Sequence, residues 1–333
     1  MKERKLAIAL AIALAVVWAA ICVADVPIAK PLPADLAALY AYDKAAPLNL
    51  TTSEPKEAAK TVEERIEFDS PKGGRVAGLL IRPKTGPKPW VILTLHGLGA
   101  DKSFGRFFAA LAGDGGYAVL SLDAALHGDR KIPGKAMFTG DLATTRDAMI
   151  QTVIDYRRAM DYLATRKDVH GEAFGLCGAS MGAIQGTILA GVDQRIASSM
   201  LIVGGGDWSK IAAASDRPEV EGMKALLEDP VAAAEAATFD PLTFVPYISP
   251  RPAWFMNGRQ DTTIPVAAAK ALQDAAGEPK HIVWYDGGHI PPIGVAVQTM
   301  GDWLSQALQP ALDKAAATGA ARGGAAQDAC EGK

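Results

Sequence analysis

The sequence predicts an α/β fold: a doubly wound, mostly parallel sheet of about eight strands with an antiparallel leading hairpin. Three observations predict it. Six short runs, from Trp90-Val91-Ile92-Leu93-Thr94-Leu95 to His281-Ile282-Val283-Trp284-Tyr285, are apolar without strict alternation. Strands that read this way are buried on both faces, as in a parallel sheet covered by helices. Segments with helical character separate the runs, which gives the alternating order of an α/β domain. Before them, two segments flank the turn-forming Ser70-Pro71-Lys72-Gly73-Gly74 and read as an antiparallel pair.

At the N-terminus, Lys2, Arg4 and Lys5 precede an uncharged apolar run from Leu6 to Ala24, and Asp25, Pro27, Pro31 and Pro33 break it. Residues 1–24 therefore read as a signal peptide cleaved after Ala24. The run is also close to the lower limit for crossing a bilayer, so an uncleaved N-terminal anchor formed by residues 6–24 is the alternative. Either way the chain is expected to be exported: periplasmic, secreted or membrane-anchored. Residues 25–60 form a Pro/Ala-rich N-terminal extension with short helical stretches such as Pro33 to Asp43.

The main domain is expected over residues 61–310. Val62 to Phe68 and Arg75 to Arg82 form the hairpin. The later strands are Trp90–Leu95, Tyr117–Leu122, Ala173–Cys177, Ser199–Val203, Ala253–Met256 and His281–Tyr285. Ser103 caps a helix ending near Ala112. Asp141 to Arg166 is a long helix with Ile150, Val153, Ile154, Met160 and Leu163 on one stripe. Pro265 to Ala276 begins with proline in its first turn and stops at Gly277. Ile293 to Leu308 is the last helix. The longest connection, residues 204–250, reads as a helical cap-like insertion or as a two-helix crossover. Residues 311–333 are dominated by small residues and are expected to be a disordered tail.

Composition narrows the function. The 333-residue chain has a net charge of −3 and no basic patch with interleaved aromatics, so no nucleic-acid partner is expected. Its three cysteines lie in the leader (Cys22), a predicted buried strand (Cys177) and the tail (Cys330), which is no disulfide framework. The histidines are scattered without ligand spacing, so no metal is expected. Gly204-Gly205-Gly206 follows the fourth of the six parallel strands rather than the first, and no cofactor is expected.

The chemistry centres on Gly178-Ala179-Ser180-Met181-Gly182, between a predicted strand and a helix. A serine in so tight a turn needs glycine two places away on each side. Among 33 glycines the motif alone is weak, so its partners decide. A serine hydroxyl needs a general base, and the base needs a group to orient it. If the acid and histidine follow the serine along the chain, His96, His127 and His170 fall too early. His281 opens a strand, whereas His289 in Asp286-Gly287-Gly288-His289 follows a strand end, where ligand sites of open sheets collect. Asp261 follows the Ala253–Met256 strand and is the favoured acid, with Asp207 as competitor. The oxyanion donors are the backbone N–H groups of Met181, at a helix N-terminus, and Leu98, in His96-Gly97-Leu98-Gly99.

With His96-Gly97, Asp123 to Arg130, Gly178 to Gly182, Gly258 to Asp261 and Gly287-Gly288-His289 in order, residues 62–308 resemble an α/β-hydrolase-fold enzyme of the dienelactone-hydrolase-like and small serine esterase branch. Dienelactone hydrolases proper are similar but use cysteine as nucleophile, whereas this elbow carries serine. The resemblance implies that the His127-Gly128 loop shapes the pocket mouth; a loop simply tied down by Arg130 ion pairs is the other reading. It implies ester hydrolysis on a small-molecule ester by Ser180, His289 and Asp261, without cofactor. A peptidase or acyl transferase of the same fold is an alternative, and a non-catalytic binding protein is one of another class.

Overall fold

The computed structural model describes residues 30–112, 115–139 and 141–318. The signal-or-anchor segment, Cys22 and Cys330 lie outside them. Ten strands form one sheet: β1 (Thr51–Thr52), β2 (Lys56–Glu57), β3 (Thr61–Asp69), β4 (Arg75–Pro83), β5 (Val91–Leu95), β6 (Ala118–Leu122), β7 (Phe174–Ala179), β8 (Ile196–Ile202), β9 (Ala253–Gly258) and β10 (Lys280–Tyr285). Their spatial order is β1-β3-β4-β6-β5-β7-β8-β9-β10, with β2 also on β3. Pairing is antiparallel from β1 to β6 through β3 and β4, and parallel along β6-β5-β7-β8-β9-β10.

The unbroken apolar runs are explained by two cores. In β5, Val91, Leu93 and Leu95 join one core while Ile92 joins the other; in β9, Ala253 and Phe255 face opposite to Trp254 and Met256. A strand alternates faces residue by residue, so burial on both sides demands an apolar residue at nearly every position. The first core lies beneath helices Leu142–Leu163, Met181–Val192 and Val266–Ala275, and the second beneath Phe104–Ala112 and Ile293–Trp303. Cys177 is a fully buried member of the second core, and burial pushes its thiol well above the usual range.

Residues 204–250 hold four short helices, Trp208–Ala214, Pro218–Leu226, Pro230–Ala237 and Pro241–Phe244. Two of them start on Asp-Pro pairs. Asp229 accepts from the amides of Val231 and Ala232, and Asp240 from that of Leu242, while the proline fills the first helical position where no donor is needed.

Two regions differ from expectation. β1 and β2 come from the N-terminal extension, so the sheet has two more strands than the sequence suggests; segments of two residues carry no readable period. The same extension places Tyr40, fully buried, with its ring edge on Phe244 at 5.3 Å and its hydroxyl donating to Thr238 O at 3.0 Å. The tail expected to lose order from residue 311 remains helical through residue 318. Leu312 explains this: it is fully buried in the second core, and Ala315 packs against that core. Among the described residues, no helix is long and apolar enough to cross a membrane.

Removing the Tyr40 ring leaves a cavity at the joint between extension and domain. Tyr40→Ala is expected to lower unfolding free energy by about 3 kcal/mol, read from the midpoint of urea unfolding.

Candidate active site

Ser180 closes the turn between β7 and the helix Met181–Val192. Its backbone sits at φ 55°, ψ −120°, which is strained for a side-chain-bearing residue. Packing enforces this geometry. A Cβ on Gly178 would stand 2.2 Å from Gly182 O, and one on Gly182 would stand 2.0 Å from Leu95 O. The Ser180 amide donates to Ile202 O at 2.8 Å, fixing the turn to β8. The Ser180 hydroxyl makes no capping bond to its helix and is available to another partner.

That partner is His289, whose Nε2 lies 2.8 Å from Ser180 Oγ. His289 Nδ1 lies 2.9 Å from Asp261 Oδ2 and 3.1 Å from Oδ1. An ionised carboxylate only accepts, so the Nδ1 proton points to Asp261 and Nε2 accepts from the serine. Asp261 is buried and is held by the amides of Thr263 and Ile264, each donating to Oδ1 at 2.9 Å. Gly258 serves this arrangement through close approach: a Cβ there would meet Gly288 O at 2.3 Å. The loop carrying His289 is further tied by Tyr285, whose hydroxyl donates to Gly288 O at 2.7 Å, and by the Gln260 amide, which donates to Gly287 O at 2.9 Å.

The structure leaves Asp207 apart from this row: it caps the helix Trp208–Ala214 by accepting from the Lys210 amide, and it pairs with Lys210 Nζ. His281 is likewise apart, stacked on Trp254 at 3.9 Å. Leu98 and Met181 line the pocket in front of Ser180, and among the described residues no protein acceptor takes either backbone amide. Of the glycines flanking Leu98, only Gly99 lies in the left-handed region, at φ +80°.

Sequence reasoning missed the group that holds this loop. Asp123, fully buried at the end of β6, accepts from the Lys102 amide at 2.8 Å and from Lys102 Nζ at 2.9 Å. Gly128, at φ +53°, passes so close that a Cβ would meet the Asp123 carboxylate at 2.2 Å. Arg130 donates to Asp123 O at 3.0 Å and forms a buried ion pair with Asp155 at 2.8 Å. His96 joins the two loops: Nδ1 donates to Gly97 O at 2.9 Å and Nε2 accepts from the Ala124 amide at 3.0 Å. Both bonds suit the neutral ring, and burial pushes its pKa down from 6.5 to about 4. His127 donates from Nδ1 to Ala125 O and is lowered by burial as well. The only signal for this network was the polar density of Asp123 to Arg130 after a strand.

The pocket above Ser180 is small, about 240 Å³, and mostly apolar, with Phe138, Met181, Ile184, Trp208, Ile211 and Val220 among its walls. Trp208, Ile211 and Val220 come from residues 204–250, so this connection covers the site. Its seat is the turn of Asp261: Ser215 Oγ donates to Thr263 O at 2.8 Å, and the hydroxyls of Thr262 and Thr263 donate to Asp216 at 2.7 and 3.1 Å.

Sheet order, strained serine turn and strand-end loops together define an α/β-hydrolase fold. No family model matches the chain. Among solved structures, the acetyl xylan esterase from Paenibacillus sp. R4 superposes with a TM-score of 0.68 at 19% identity, over 80% of this chain and 90% of that one. Acetyl xylan esterase 1 from Thermoanaerobacterium sp. JW/SL YS485 gives 0.67 at 15% identity, over 82% and 94%. The Pyrococcus furiosus esterase Pf2001 gives 0.55 at 17%, over 84% and 97%. A stretch of 167 residues is 28% identical to YtaP of Bacillus subtilis, a protein named as a hydrolase; it spans 45% of this chain and 55% of that protein.

Two outcomes follow. Gly182→Ala forces a methyl group against Leu95 O and is expected to destabilise the fold by about 3 kcal/mol, measured by thermal or urea unfolding. His96 has a folded pKa below its unfolded one. In the interval between 6.5 and about 4 the unfolded chain takes up a proton that the folded chain refuses, so stability falls as pH falls through it. The loss is on the order of 3 kcal/mol. Urea titrations of the wild type and His96→Asn across that range should show a flatter profile in the variant.

Proposed function

We propose that the chain hydrolyses carboxylic esters of short acyl groups. The observation that carries this reading is the row Asp261–His289–Ser180, with hydrogen-bond distances of 2.9 and 2.8 Å, opening into a small apolar pocket. Ser180 Oγ attacks the ester carbonyl carbon as His289 Nε2 takes its proton. The amides of Leu98 and Met181 hold the oxygen that gains negative charge. Asp261 accepts the hydrogen bond from Nδ1–H, whose proton stays on the ring, and stabilises the imidazolium. Collapse breaks the bond to the alcohol oxygen, which leaves with the proton from Nε2. Water then attacks the acyl-serine, giving its proton to Nε2, and the carboxylic acid departs as Ser180 regains its hydrogen.

The esterase names of the structural neighbours agree with this reading. The pocket's apolar walls, Trp208 and Ile211 among them, suit a short uncharged acyl chain. We also propose export of the chain, on the layout of residues 1–24 alone.

Ser180→Ala should reduce kcat on p-nitrophenyl acetate by about 10³-fold or more while leaving the melting temperature nearly unchanged, since alanine keeps the Cβ and the same backbone turn. Retention of wild-type turnover would remove Ser180 as nucleophile.

A further inference from the structure

A second concavity of about 560 Å³ adjoins the first. Leu98, Phe138 and Arg217 line both, so the two meet beside the amide that faces the ester carbonyl. They differ in character. The smaller holds Ser180 and His289 among apolar walls. The larger is walled by Lys131, Lys135 and His127, and among the described residues no carboxylate lines it. Lys131 and Lys135 are exposed, and neither has an ion-pair partner among the described residues. The turn between them is closed by the Lys135 amide, which donates to Ile132 O at 3.0 Å. In a chain whose net charge is −3, this is a local excess of positive charge at the entrance to the reacting atoms.

We propose that the larger concavity receives the alcohol part of the substrate and that this alcohol bears an anionic group, with a carboxylate as the chemical class. The inference rests on the ester-hydrolysis reading above. Polarity decides which half of the ester goes where. A short acyl chain matches the small, mostly apolar pocket; Arg217 lines both concavities, so what distinguishes the larger is its two lysines. The alcohol half must remain near His289 at its oxygen but extends away from it. Past Leu98 and Phe138 it meets two lysines, with no carboxylate of the described residues in the same wall. Exposed lysines attract an anion without demanding one orientation, so they select by charge rather than by the detailed shape of the alcohol.

The test compares acetoxyhexanoate with its neutral amide, acetoxyhexanamide, and both with p-nitrophenyl acetate. In the wild type, kcat/KM for the anionic ester should exceed that for the amide. In Lys131→Gln/Lys135→Gln this ratio should fall about fivefold, and the wild-type preference should shrink as salt is raised. Monoethyl succinate, which carries its charge on a four-carbon acyl half, should show no comparable loss. An unchanged ratio in the double variant overturns the proposal, and so does an equal loss for monoethyl succinate. Absence of wild-type turnover on p-nitrophenyl acetate and on both acetoxy compounds would overturn the ester-hydrolysis reading itself.

Discussion

The structure depends on how closely the helix after Ser180 approaches the end of β5. Gly182 brings backbone against the carbonyl of Leu95 at a distance no side chain tolerates, and Gly178 brings it against Gly182. That contact sets the strained conformation of Ser180 and frees its hydroxyl from capping. It also brings the Met181 amide to the loop after β5, which carries Leu98. The proposed nucleophile and the proposed oxyanion donors are thus outcomes of one steric constraint. A looser turn would let the serine relax onto its own helix, and the hydroxyl would be spent on an internal bond.

The opposite side of the site follows the same logic with different parts. The loop bearing His289 lies directly on Gly258, and Asp261 leaves the same strand end one turn later. The proposed acid and base therefore share a support, the end of β9, on which the His289 loop from β10 rests, while the serine stands on β7. The row forms only because β8 separates these two strands and holds them in parallel register. The inserted helices are seated on the turn of Asp261 as well, so the roof of the pocket and the orientation of the imidazole are mechanically linked.

Much of this was legible in the sequence. Parallel strands write themselves as apolar runs because both faces are buried, and Gly-x-Ser-x-Gly is legible because its glycines answer a local clash. His289 could be found by chain order among only five histidines. The unreadable parts depend on long-range contact. Tyr40 looks like any tyrosine in a Pro/Ala-rich stretch until Phe244 is known to lie against it. Leu312 stands among alanines and lysine, and only the second core makes it a helix anchor. Asp123 and Lys102 lie 21 residues apart, yet they decide where the Leu98 loop sits. Gly258 was legible only as a landmark before Asp261, since what it admits is another segment's backbone, the carbonyl of Gly288.

The burial of Tyr40 has a temporal side. Its hydroxyl and ring find their partners at Thr238 and Phe244, about two hundred positions further along the chain. At ordinary rates of synthesis that interval takes on the order of ten seconds or more. Throughout it the ring lacks those two partners, although β1 and β2 already have β3 to pair with and the helix Leu142–Leu163 already offers Arg157 to the Tyr40 carbonyl. Among the described residues, the segment made first is therefore among the last to complete its packing.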